Sequence, residues 1–69
     1  MSFARRKVLG ALLGRGVVIL REGGGHTIVR GQTGKQSSVP RHSALNRVTV
    51  RKIVRQLDLN WPDVEKDLS

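Results

Sequence analysis

The chain has no cysteine and no tyrosine, and only one tryptophan, one phenylalanine and two prolines in 69 residues. Without cysteine, disulfide staples and thiolate metal sites are excluded. Long apolar runs are missing too. The longest unbroken aliphatic stretch, Val17–Leu20, is far short of the roughly 20 residues that a membrane-spanning helix needs. Arg5-Arg6-Lys7 ahead of Val8–Gly14 mimics a signal peptide, but the apolar part is short, ends at Arg15 and has no convincing small-x-small cleavage site. The expected location is therefore the cytoplasm. A chain of this length makes a single domain, here residues 1–69, and buries only about 60% of its unfolded surface. Its core is thin, so it stands on packing alone or leans on a partner.

Carboxylates are scarce as well. Five Asp and Glu face thirteen Lys and Arg, for a formal net charge of +8. The distribution is more extreme than the total. Residues 1–57 hold twelve Lys and Arg against the single acid Glu22, a formal +11, and residues 58–69 hold Lys66 against Asp58, Asp63, Glu65 and Asp67, a formal −3. A two-metal nuclease needs several carboxylates around its cations, and the body of this chain does not supply them. A small domain with such an excess of positive charge binds polyanions, with nucleic acid the first expectation.

Hydrophobic spacing sets out the elements. Ser2 is placed to cap a helix starting near Phe3, in which Val8, Leu9, Leu12 and Leu13 share one side with Ala4 and Ala11 beside them. Gly14 or Gly16 supplies a left-handed stop. Val17–Glu22 reads as a strand, Gly23-Gly24-Gly25 as a turn, His26–Arg30 as a second strand, Gly31–Gly34 as another turn, and Lys35–Val39 as a weaker third strand ended by Pro40. These make an antiparallel meander with one face covered by helices. Ile28 and Val29 point to opposite faces, so the pattern leaves the face of His26 open. A polar loop, Arg41–Asn46, leads to a second helix with the apolar stripe Val50, Ile53, Val54 and Leu57 and a basic stripe Arg47, Arg51 and Arg55, with Lys52 adjoining. Asn46 or Thr49 caps it. Asn60 caps a last short helix, whose Trp61, Val64 and Leu68 are spaced to close over the core. The predicted fold class is α+β, in the order α-β-β-β-α with a short C-terminal helix added.

By pattern alone, three glycines before a polar residue are first of all a hairpin turn, and a histidine at a strand start is unremarkable. The combination of motifs says more. Gly16 precedes the first strand, Gly24-Gly25-His26 opens the second, and Val39-Pro40-Arg41-His42 closes the third. Thr49–Gln56 forms the basic helix, and an Asn-Trp segment follows it. In this order and spacing, the chain resembles the HicA family of toxin messenger-RNA interferases over nearly its whole length. It departs from that pattern at Val48, where the family has glycine before the threonine, at Val17, where an aromatic is common, and at Thr27, where a second histidine often follows the first. The resemblance implies a double-stranded-RNA-binding-domain-like fold, with two helices on one face of a three-stranded antiparallel sheet. It also implies endoribonuclease activity on messenger RNA without metal or cofactor, His26 as the catalytic residue, and neutralisation by a HicB-type antitoxin protein.

The chemistry fits those residue types. Metal-free RNA cleavage uses the RNA's own 2′-OH as nucleophile, so the protein has to move protons and stabilise a charged pentacovalent phosphorus. Histidine suits proton transfer near neutrality. Glycines let backbone N–H groups come close to a phosphate. Gly24, Gly25, Arg21, Arg30 and the cluster Arg51, Lys52 and Arg55 are the candidate RNA-binding residues. His42 is assigned to loop structure rather than catalysis, and Trp61 to packing rather than base stacking. The main alternative is a non-catalytic RNA-binding module of the same fold. A third is an adaptor whose ligand is an acidic protein.

Overall fold

The computed structural model describes residues 1–68. Eight elements follow in order: β1 (Ser2–Ala4), α1 (Arg5–Leu13), β2 (Val18–Glu22), β3 (His26–Arg30), β4 (Gln36–Pro40), β5 (Ala44–Asn46), α2 (Arg47–Gln56) and α3 (Trp61–Leu68). The class is α+β, with a three-stranded antiparallel sheet in the order β2-β3-β4 and three helices. No helix among the described residues is long and apolar enough to cross a membrane.

Two predicted segments fold differently. Ser2 does not cap a helix, and Arg41–Asn46 is not all loop. Instead β1 and β5 pair antiparallel, with Phe3 opposite Leu45. Flanking backbone bonds extend the ladder, from the Arg5 N–H to the Ser43 carbonyl at 2.9 Å and from the Arg47 N–H to the Met1 carbonyl at 3.1 Å. This pairing and the packing of Phe3 on the core outweigh a serine cap, and α1 starts at Arg5 with no side-chain cap on its Ala4 N-cap. The buried face of α1 also differs from the predicted one. The helix buries Val8, Ala11 and Leu12, while Leu13, predicted on the apolar side, is exposed.

The remaining signals fall close to their expected places. The stop after α1 is at Gly16, which has φ +80, whereas Gly14 stays in the ordinary right-handed region. α2 buries Val50, Ile53 and Val54, with Leu57 buried just beyond its end, and the Asn46 side chain accepts the Val48 N–H at 2.7 Å as its cap. Asn60 caps α3 by accepting the Asp63 N–H at 3.0 Å. Val64 and Leu68 join the core cluster that includes Leu12, Val29 and Val39, and Trp61 packs against its margin. The acidic end is a docking device. Arg15 donates to Asp63 at 3.0 Å, to Asp67 at 2.8 Å and to the Asp63 carbonyl at 2.9 Å, tying α3 to the end of α1.

Candidate functional site

The face of His26 is decided by its neighbour. Thr27 is fully buried although polar, and Val29 is buried two residues on, so β3 turns Thr27 and Val29 into the core and His26, Ile28 and Arg30 outward. The buried threonine is not left unsatisfied. Its hydroxyl donates to Glu22 Oε1 at 2.5 Å and accepts from the Arg5 guanidinium, whose Nε also donates to the Pro40 carbonyl at 3.0 Å. Burying a hydroxyl with both partners supplied removes the penalty an unpaired one would carry. Thr27 therefore supports the surface on which His26 stands.

Register assembles the rest of that surface. β2 bulges between Ile19 and Arg21, so Arg21 lies opposite Ile28 and Glu22 opposite Thr27. A one-residue bulge shifts which side chains share a face. Here it puts Arg21 on the outer face with His26 and sends Glu22 to its inner-face partner Thr27. On the other side, His26 lies opposite Pro40 and Arg30 opposite Gln36. His26, Arg21 and Arg30 thus share one exposed face, with Arg30 about 13 Å along the strand from His26 at the usual rise per residue.

At the open end of this face, the turn Gly23–Gly25 is held from both sides. The Gly23 N–H donates to the His26 carbonyl at 2.9 Å and the Arg41 N–H to the Gly25 carbonyl at 3.2 Å. Among the described residues, the N–H groups of Gly24 and Gly25 meet no acceptor. Neither residue has a positive φ, and a Cβ built on either would meet nothing within 4 Å. The fold therefore does not require glycine at 24 or 25. What glycine gives at these two positions is bare backbone next to an exposed imidazole.

Arg41 is the cation that sequence reasoning missed. It follows Pro40, the register partner of His26, and its guanidinium lies 3.4 Å from Glu22 Oε1 and 3.5 Å from the Gly23 carbonyl. Glu22 thereby bridges Arg5 and Arg41. The Thr27 hydroxyl, with the charges of Arg41 and Arg5, holds its carboxyl below the usual range. No linear signal places residue 41 beside residue 22, because the proximity depends on how β4 pairs with the β2–β3 hairpin. His42 lies exposed in the loop and makes no hydrogen bond among the described residues, so the loop-bracing role predicted for it is not observed.

The basic stripe of α2 does not join this site. Arg51, Lys52 and Arg55 project from the solvent side of a helix that packs on the inner face of the sheet. They line a separate groove with Val48, Leu59 and Trp61. Trp61 packs as predicted, edge-on to Phe3 at 6.2 Å between ring centroids. No group of three His, Asp or Glu side chains converges to hold a metal among the described residues. All five acids face cations instead: Glu22 near Arg5 and Arg41, Asp58 near Lys35, Asp63 and Asp67 on Arg15, and Glu65 on Arg47. The cations without an ion pair among the described residues are Arg6 and Lys7 on α1, Arg21 and Arg30 on the sheet, Arg51, Lys52 and Arg55 on α2, and Lys66 on α3. A scan against protein-family models and searches of curated proteins and of solved structures find no match to this chain.

Proposed function

We propose that the protein is a metal-independent endoribonuclease of the toxin type, with a double-stranded-RNA-binding-domain-like fold and His26 as its catalytic residue. One observation carries the reading: an exposed imidazole stands beside two glycines that the fold does not require, whose N–H groups meet no acceptor among the described residues. Backbone donors of this kind suit a phosphate oxygen. Arg41, steadied by Glu22, and Arg21 add cations at the same end of the sheet, and Arg30 extends the positive rail for the neighbouring strand of RNA.

In the proposed reaction the 2′-oxygen of a ribose attacks the adjacent phosphorus and loses its proton. The P–O5′ bond breaks, and the departing 5′-oxygen gains a proton. The products are a 2′,3′-cyclic phosphate and a 5′-hydroxyl, so no water or electron carrier is consumed. His26 either accepts the first proton or donates the second. The Gly24 and Gly25 N–H groups and Arg21, on the same face as His26, stabilise the extra negative charge on the non-bridging oxygens. The resemblance to HicA toxins supports the further proposal that a HicB-type antitoxin neutralises the enzyme.

The test is cleavage of a single-stranded RNA by purified wild type and His26→Ala in EDTA, with the 5′ and 3′ ends of the products identified. Wild type should yield cyclic-phosphate ends and the variant about 10²–10⁴-fold fewer of them. Equal cleavage by both proteins removes the role of His26. Loss of wild-type activity in EDTA removes the metal-free reaction. RNA binding by both proteins without any cleavage points to the non-catalytic RNA-binding module. Growth arrest on expression that is absent for His26→Ala, and relieved by a small neighbouring reading frame, tests the toxin–antitoxin arrangement.

A further inference from the structure

The groove between α2 and the segment entering α3 has a volume of about 700 Å³ and contains none of the residues around His26. Val48, Arg51, Lys52 and Arg55 recur at helical spacing along its α2 wall, two turns of one stripe. Leu59 and Trp61 form the opposite side. The three cations have no acidic partner among the described residues, because every acid is already paired elsewhere. Asp58 borders the groove, but its carboxylate is held by Thr33 and Lys35. Val48, at the start of α2, leaves 62% of its surface in water, the most exposed large aliphatic side chain after the terminal Met1. Apolar and cationic surface thus lie side by side along one helix.

We propose that this groove is a docking site for an acidic amphipathic segment of a partner protein, apolar side chains seated against Val48 and Leu59 at the margin of Trp61 and carboxylates paired with Arg51, Lys52 and Arg55. Both halves of the surface are then used, as in recognition of an amphipathic helix by a groove. Nucleic acid fits less well. Arg47 and Arg51 lie over the Trp61 ring at 5.5 and 5.7 Å from its centroid, and Phe3 meets it edge-on, so the ring is already engaged where a base would stack. A phosphate backbone also has no use for an exposed valine. The site is independent of the ribonuclease reading, and His26 takes no part in it.

Trp61 is the only tryptophan in the chain and lines the groove, so its fluorescence reports occupancy directly. The probe is a synthetic helical peptide with Leu along one face and Glu beside it, titrated against a scrambled peptide of the same composition and against oligouridylate. The designed peptide should shift the Trp61 emission saturably. Arg51→Glu with Arg55→Glu, and separately Val48→Ser, should each weaken it by about tenfold or more, with the circular-dichroism spectrum and thermal midpoint retained. His26→Ala should bind the peptide like wild type, which separates this result from any failure of RNA cleavage. Equal binding of the scrambled peptide would reduce the site to a charge patch and overturn the proposal. Displacement of the peptide by oligouridylate with the same Trp61 response would reassign the groove to RNA. Absence of any Trp61 response to the designed peptide would also overturn it.

Discussion

Two glycine-rich turns flank β3, and they use glycine for different reasons. At the β3–β4 turn the fold demands it. Gly34 has φ +92, a region costly for side chains bearing Cβ, and a Cβ on the buried Gly31 would lie 3.0 Å from the Leu57 carbonyl oxygen. At the β2–β3 turn the fold makes no such demand of Gly24 or Gly25, which have ordinary φ and open space around them. One turn spends glycine on closing the domain over α2. The other leaves backbone donors uncovered beside His26. Composition treats these glycines alike, and only their surroundings separate a structural turn from a functional one.

The largest contrast between the two turns should appear on replacing His26. His26→Ala is expected to lower RNA cleavage by about 10²–10⁴-fold, the usual contribution of a positioned acid–base group, with no loss of thermal stability because the side chain is exposed. Single-turnover cleavage and a melting curve on the same preparation check both halves. The opposite pattern is expected across the strand. Gly31→Ala should cost about 1–3 kcal/mol through overpacking against Leu57. Gly34→Ala should cost about 1–2 kcal/mol through its positive φ. Urea denaturation measures these losses, and cleavage by the remaining folded fraction should match wild type.

The smallest effect concerns the base of the functional turn. The Glu22 carboxyl titrates below its ordinary range, chiefly because Thr27 donates to it and secondarily through Arg41 and Arg5. A carboxyl whose folded value is depressed stabilises the fold above its unfolded value, and that contribution is lost as pH falls through the folded value. Wild type should therefore exceed Glu22→Gln in thermal midpoint near pH 6, and the gap should close on acidification below about pH 4, the ordinary carboxylate range. A gap that persists unchanged into acid would show that the Glu22 charge is not what ties Arg5, Thr27 and Arg41 together.

How far the fold could be read in advance depended on where each element finds its partners. α2 was legible because Val50, Ile53, Val54 and Leu57 repeat at helical spacing within the helix and its cap. α3 was legible because Asn60, Val64 and Leu68 carry cap and core in eight residues or so. β1 and β5 were not, since each is three residues long and exists only by pairing with a segment some forty residues away. His26 was legible as a candidate, but its face was not. Ile28 and Val29 are both apolar, and the choice falls to Thr27, a polar residue buried because Arg5 and Glu22 satisfy it. The bulge that aligns Arg21 with His26, and the return of Arg41 to the glycine turn, are products of strand register. The α2 cations were expected to serve the same RNA site. They were correctly read as a stripe, but a stripe does not say which side of the sheet its helix will cover.

The most direct test of the distinction between the two turns is a double variant, Gly24→Ala with Gly25→Ala, measured for unfolding free energy and for RNA cleavage. The account predicts stability within about 0.5 kcal/mol of wild type, since both Cβ atoms enter open space and neither residue has a positive φ. It also predicts cleavage reduced by about tenfold or more, equivalent to about 1.4 kcal/mol in transition-state binding, as the added methyls crowd the phosphate. A variant that unfolds more easily yet cleaves at the wild-type rate would contradict it, because Gly24 and Gly25 would then serve the fold and not the site.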